Sequence, residues 1–338
     1  MKNTVKKVLC AIMAIAMIAT VFASCGGTGS ETTTAAADDT TAAGDKIYTV
    51  GICQLVQHDA LDAATKGFKK ALTDKLGENV KFDEQNASNE ATNCTTICGT
   101  FVSNNVDLIM ANATPALTAA ATATANIPIV GTSVTDFATA LDIKDFSGAT
   151  GINVTGTADL APLDEQAKMI KELCPDAKNV GILYCSAEPN SKYQSDVITG
   201  YLTELGFEVK EYTFTDSNDI ASVTTTAAEN SDVLFAPTDN TVANNAEAIA
   251  NVLEPAGVPL VAGESGICKG CGIATLSISY YDIGYKAGEM AYEILVNGKD
   301  PATMDIAYAA APVKMYMADR CTALNITVPD TYEAIAVE

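Results

Sequence analysis

Cys268-Lys269-Gly270-Cys271 is the one cysteine spacing in this chain with a recognisable chemistry. Such a pair serves as a redox couple, half of a zinc site or a local loop disulfide. Zinc is not expected, because there is no second pair and the single histidine, His58, lies far away in sequence. A loop disulfide (Cys268 to Cys271) and two free thiols both stay open. Two of the ten cysteines, Cys10 and Cys25, fall in a leader region. The rest are spread over a large body, unlike a small disulfide scaffold. Most therefore read as small buried apolar residues. Cys94 and Cys98, four apart on a helix face, fit that account. With one histidine there is no Ser-His-Asp set. No Gly-x-Ser-x-Gly elbow, Walker loop or dinucleotide fingerprint occurs either. The expected chemistry is recognition, with no catalysis, no cofactor and no metal.

The elements that must position recognition groups follow from hydrophobic pattern. Tyr48 to Cys53 predicts a strand and Leu61 to Leu76 a helix. The alternation continues with strands at Val80 to Phe82, Val106 to Ala111 and Pro128 to Thr132, and helices at Glu90 to Ser103 and Pro115 to Thr124. Strands alternating with helices of this length imply βαβ units and a parallel sheet. The same order then returns. Asn179-Val180-Gly181-Ile182 echoes Thr49-Val50-Gly51-Ile52, and Asp232-Val233-Leu234 echoes Asp107-Leu108-Ile109. Thr238 matches Thr114, each expected to start a helix, and Gly257 to Val261 echoes Asn126 to Val130. The expected architecture is α/β, two doubly wound parallel-sheet lobes joined by a hinge of several crossovers. Ligands of such sheets lie at the carboxyl ends of the strands. The boundaries read as 46–155 for one lobe, completed near 282–310, and 156–281 for the other, completed near 311–338.

Thr49 to Lys70 reads TVGICQLVQHDALDAATKGFKK, with a strand, Gln-Leu-x-x-His, x-x-Leu-Asp and a helix containing Lys-Gly-Phe. Further segments are Ala113-Thr114-Pro115-Ala116, Val134-Thr135-Asp136, Gly151 to Gly156, Ala187 to Ser191, Pro237 to Thr241 and Tyr280 to Gly284. Together, over Tyr48 to Pro329, they resemble the ABC-transporter substrate-binding proteins whose characterised members take tryptophan and other aromatic amino acids. The resemblance implies the periplasmic-binding protein type I fold and a ligand between the lobes. The matched positions that follow strands are Gln54, His58, Asn86, Thr114, Thr135 and Asp136 in the first lobe. In the second they are Glu188, Asn190, Ser191, Asp239, Asn240, Glu264 and Ser265. Strand-end loops are where binding groups concentrate. Thr114 and Ser191 are also good N-caps. Thr114 and Thr135 are expected to hold a carboxylate and Asp239 an ammonium, with Glu264 in reserve. Tyr281 and His58 are expected to face an apolar side chain. A nucleoside or vitamin precursor is the alternative ligand. A sugar is least expected, since there is no tryptophan to stack on.

The N-terminus gives an address. Lys2, Lys6 and Lys7 precede an apolar run, Val8 to Val21, and then Phe22-Ala23-Ser24-Cys25. The run is short and closes at small residues, so 1–24 reads as a secretory signal. It resembles a bacterial lipoprotein signal, which would make Cys25 the lipidated N-terminus. Phe22 departs from the leucine usual there. Residues 25–45, rich in Thr and Ala, read as a flexible tether. Net charge is −22, and removing the leader lysines makes the body more acidic still. Such a surface repels phosphate backbones and anionic lipid heads. The expected partners are a small ligand, an ABC permease and its ATPase, with a lipid anchor as the only membrane contact and a monomeric body. A ligand-sensing lipoprotein without a permease is the alternative role.

Overall fold

A computed structural model describes residues 46–336. The chain first lays down β1 (Tyr48–Gln54), α1 (Asp59–Leu76), β2 (Val80–Asn86), α2 (Ala91–Ser103), β3 (Leu108–Asn112), α3 (Thr114–Ala123), β4 (Ile129–Val134), α4 (Phe137–Ala140) and β5 (Val154–Ala158). A second series follows: α5 (Leu163–Leu173), β6 (Asn179–Cys185), α6 (Pro189–Glu204), β7 (Glu208–Phe214), α7 (Ile220–Glu229), β8 (Val233–Ala236), α8 (Asn240–Asn244), α9 (Ala246–Ala256), β9 (Leu260–Ala262), α10 (Ser265–Cys271) and β10 (Ala274–Ser277). It closes with α11 (Tyr280–Leu295), β11 (Ala307–Tyr308), β12 (Val313–Tyr316), α12 (Ala318–Ala323) and β13 (Glu333–Ala334).

These strands form two sheets, ordered β11-β5-β4-β3-β1-β2 and β13-β12-β10-β9-β8-β6-β7. All pairings are parallel except β10 with β12. The two-lobed α/β architecture expected from the sequence is present. Its duplication has a physical basis at matched positions. Asp107 accepts a hydrogen bond from the Thr49 N–H over 2.8 Å. Asp232 accepts from the Asn179 N–H, also over 2.8 Å. In each lobe one carboxylate anchors the start of the first strand.

Each sheet is covered on both faces, which is why its strands are rich in Val, Ile and Leu. In the first lobe Phe101, Leu117 and Cys94 pack on one face, and Phe68, Leu72 and Ala287 on the other. The chain passes between lobes three times: after β5, between β10 and α11, and between β11 and β12. The sequence pattern did not disclose β5, α5 or α7 as separate elements.

The returning helix α11 lies against α1 at backbone distance. A Cβ at Gly284 would stand 2.0 Å from the Ala64 carbonyl oxygen, and one at Gly67 2.1 Å from that of Tyr281. Gly to Ala in a helix is ordinarily stabilising by about 1 kcal/mol. Gly284→Ala should reverse that sign, because the helices must separate, at a cost of roughly 1–3 kcal/mol. Gly99→Ala in α2, where a new Cβ meets nothing within 4 Å, should stabilise. Urea unfolding midpoints of the two variants check the contrast.

Candidate ligand-binding site

The carboxyl ends of both sheets meet at one small cavity. From the first lobe come His58 and Leu61 at the start of α1, Ser133 and Thr135 at the end of β4, and Asp159 just after β5. From the second come Asn190 in α6, Thr238 to Asn240 and Ala243 around α8, and Glu264 after β9. Tyr280, at the crossover into α11, completes the wall. The space open to water centres is about 10 Å³, room for one water and no more. The lobes bond directly across it. His58 Nε2 stands 3.3 Å from Asn240 Oδ1, and Asn89 Nδ2 donates to Thr241 Oγ over 2.9 Å. A further contact between the lobes is the ion pair of Lys269 with Asp59 at 3.5 Å.

The cavity is polar and not self-satisfied. His58 Nδ1, Ser133 Oγ, Asp159 Oδ1 and Asn190 Oδ1 are buried there without a hydrogen-bond partner. An unsatisfied buried group costs about 1–3 kcal/mol. Asn190 is oriented by its own donors: Nδ2 bonds Glu188 and the Thr238 carbonyl, both at 3.1 Å. Its oxygen therefore faces the cavity as an acceptor. Ser133 has φ 55°, in the left-handed region, beside an irregularity of β4 between Gly131 and Val134. Such bends re-aim a side chain, and strained backbone collects at functional sites.

Asp159 differs from its neighbours. Tyr280 OH donates to its Oδ2 over 2.9 Å, while Oδ1 is free. Burial pushes its pKa up to about 6, against the hydrogen bonds of Tyr280 and Thr135. The other buried carboxylates are already occupied. Asp239 caps α8 through the Val242 N–H at 2.8 Å and takes the Cys185 N–H at 2.8 Å and Ser191 Oγ at 2.7 Å. Burial, then the charge of Glu188, raises its pKa. Glu264 caps α10, accepting from Gly266 N–H at 2.5 Å and from Ile267 N–H. Burial raises its pKa too, opposed by nearby His58.

The family model described as ABC transporter substrate binding protein matches residues 49–338. The chain belongs to that family. These are solute-binding proteins, not enzymes, and they work outside the cytoplasm. No described helix is long and apolar enough to cross a membrane. The binding protein is 39% identical over 249 residues to the tyrosine-binding protein of Clostridioides difficile, covering 73% of this chain and 72% of that one. It resembles the ABC domain of Streptococcus pneumoniae solved with L-Trp, with 28% identity, a TM-score of 0.81 and coverage of 84% of this chain and 96% of that one. It also resembles the ligand-free, open structure of a substrate-binding protein with adhesive properties from Clostridium difficile, with 35% identity, a TM-score of 0.66 and coverage of 86% and 100%. The shape thus lies nearer the ligand complex than the open form, although identity runs the other way. The cross-lobe bonds agree with a closed arrangement. The fold is that of the type I periplasmic-binding proteins.

Of the residues expected at the site, the binding protein brings His58, Thr135, Asn190, Asp239, Asn240 and Glu264 to the cavity. Others lie elsewhere. Gln54 is spent inside the first lobe, donating to Asp62 at 2.6 Å and accepting from Thr65 at 2.6 Å. Asn86 is exposed and closes a local turn with the Ser88 N–H at 2.7 Å. Asp136 caps α4 through the Thr139 N–H at 2.7 Å. Glu188 and Ser191 hold neighbouring protein groups. Thr114 is the first residue of α3, with Ala113 at the N-cap position, and it does not line the cavity, though its hydroxyl is buried without a partner. Ser191 likewise lies inside its helix, two residues after its start. Thr238 precedes α8, whose N-cap is Asp239. Ser265 and Tyr281 line a separate surface groove of about 580 Å³. Tyr281 packs beside Tyr285 with ring centroids 6.4 Å apart, and the wall residue is Tyr280. Asp159, Ser133 and Tyr280 were absent from the sequence expectation. Cys268 and Cys271 are both free and buried, and burial pushes the Cys271 thiol up to about 12. Cys25 lies outside the described residues.

The raised pKa of Asp159 has a sign. Its folded value stands above the ordinary carboxylate value, so its contribution to stability is present at low pH and is lost as pH rises through about 6. Asp159→Asn should therefore be more stable than the parent at pH 8 by roughly 1–3 kcal/mol, with the gap closing towards pH 4. Denaturant unfolding at the two pH values measures it.

Proposed function

We propose that this protein captures an aromatic α-amino acid, tyrosine or tryptophan, between its lobes and delivers it to an ABC permease. The observation that carries the reading is the pair of free acceptors, Asp159 Oδ1 and Asn190 Oδ1, facing one cavity from opposite lobes. An ammonium has three donors and suits both, with Asp159 supplying the charge. The ammonium role thus passes from Asp239, whose oxygens are occupied, to Asp159. The hydroxyls of Ser133 and Thr135 suit the carboxylate. Leu61, Ala243 and the Tyr280 ring offer apolar surface for the side chain. The tyrosine-binding relative and the L-Trp complex support this ligand class. With such a ligand bound the lobes must stand farther apart than they do here, since the cavity has room for about one water.

Isothermal titration with L-tyrosine, L-tryptophan and tyrosine lacking its amino group tests the ligand. One of the amino acids should bind with micromolar affinity or better, and the deaminated analogue at least about 100-fold more weakly. Asp159→Asn should show a similar loss. Silence towards every aromatic amino acid would sink the assignment. Affinity should also fall with acidification. The ammonium takes the ionised carboxylate, so below about pH 6 a proton must first leave Asp159, and Kd should rise up to tenfold per pH unit.

We further propose that Cys25 carries the lipid that holds this body at the outer face of the membrane, which would raise its effective concentration at the permease. Labelling with a palmitate analogue in cells should mark the parent chain and not Cys25→Ala. Equal labelling of both would remove the anchor.

A further inference from the structure

Glu188 stands at the N-cap position of α6 but makes no capping bond there. Its buried carboxylate turns instead to α8, more than fifty residues on. Oε2 accepts from the Asn240 N–H at 3.0 Å, Asn240 Nδ2 at 2.7 Å and Asn190 Nδ2 at 3.1 Å. Oε1 accepts from the Thr241 N–H and the Thr241 hydroxyl, both at 2.8 Å. The turn does not need Glu188 as a cap, because Asp239 already fills that role.

What these bonds fix is orientation. With Nδ2 of Asn240 held by Glu188, Oδ1 is the atom presented to His58 Nε2. The hydrogen between the lobes then sits on His58 Nε2, and Nδ1 faces the cavity without a partner. With the Thr241 hydroxyl donating to Glu188, its lone pair is free to accept from Asn89 of the first lobe at 2.9 Å. The two side-chain hydrogen bonds that join α8 to the first lobe thus share one orienting group.

We propose that Glu188 is a positioning residue for lobe closure. It does not contact the ligand, and it acts through Asn240 on His58 and through Thr241 on Asn89. The proposal rests on the closing, ligand-capturing reading above.

The test is a double-mutant cycle between Glu188→Gln and Asn89→Ala, residues on opposite lobes that do not bond each other. Dissociation and association rates for L-tyrosine and L-tryptophan are measured by stopped flow. Inter-lobe distances are measured by spin labels without ligand. Each single variant should raise the dissociation rate about tenfold, with the association rate changed less than about threefold. The double variant should be little worse than Glu188→Gln alone, because both remove the same contact. Glu188→Gln should also deplete the closed minority in the ligand-free distance distribution. Additive effects, or a loss carried by association alone, would overturn the proposal, since a merely structural role gives no coupling to Asn89. If the parent binds no aromatic amino acid, the ligand reading fails, and the distance measurement alone decides: an unchanged distribution in Glu188→Gln overturns the positioning role. Glu188→Asp, which keeps the charge and withdraws it from α8, replaces the Gln variant if that one does not fold.

Discussion

Four carboxyl groups, Asp159, Glu188, Asp239 and Glu264, are buried where the lobes meet, and the side chains and backbone groups bonded to them are amides and hydroxyls. A buried carboxylate without donors is driven to its neutral form. Most of the local architecture answers that constraint. The first turns of α8 and α10 turn their N–H groups to Asp239 and Glu264, and α8 supplies more to Glu188. Asp159 is the exception. It has one hydroxyl donor from Tyr280, help from Thr135 and a free oxygen, so it is the carboxylate left to meet a cationic group.

The position of Asp159 ties that chemistry to the frame. It follows β5, at the first passage of the chain from lobe to lobe, and Tyr280 opens α11 at the second. A hydrogen bond between them links two of the three crossovers. Charge that arrives at Asp159 therefore bears on the segments about which the lobes must turn. The helix that Tyr280 begins is fastened to the first lobe by its glycine seam with α1, so this side of the crossover is firm. The movement that capture requires on the proposed function would fall to the short connections themselves, as expected of hinges.

The sequence made the repeated βαβ order legible because the strands at Val50, Leu108, Val180 and Leu234 are apolar runs buried on both faces. It made half of the site legible because strand-end polar residues stand out after such runs. Asp159 escaped notice for a physical reason. Its strand, Val-Thr-Gly-Thr-Ala, is buried throughout yet reads as a loop. Thr157 satisfies its hydroxyl on Thr132 at 2.9 Å, and Thr155 on the Met304 carbonyl at 3.0 Å. Gly156 is required because a Cβ would lie 2.0 Å from the Gly131 oxygen. Tyr280 and Tyr281 illustrate a second limit. Adjacent helix residues point about 100° apart, and nothing in a pattern chooses which one faces the cleft. Glu188 illustrates a third, since Asn240 and Thr241 lie more than fifty residues away and only the folded chain brings them to its carboxylate.

Closure without a ligand strands polar groups. Among the described residues, four atoms lining the cavity lack partners, and at about 1–3 kcal/mol each the empty closed form carries a penalty of several kcal/mol. Moving an equilibrium from 1:99 to 99:1 takes about 5.5 kcal/mol. The two magnitudes are of one size. An amino acid that satisfies those atoms would thus supply on its own most of the difference between an open and a closed population. The cross-lobe bonds of His58, Asn89 and Lys269 then need only set the geometry, and weak bonds suffice for that. A cleft satisfied by its own side chains would close without cargo, and its closed form would tell a permease nothing. On the function proposed above, the incompletely bonded cavity would make closure report that a ligand is aboard.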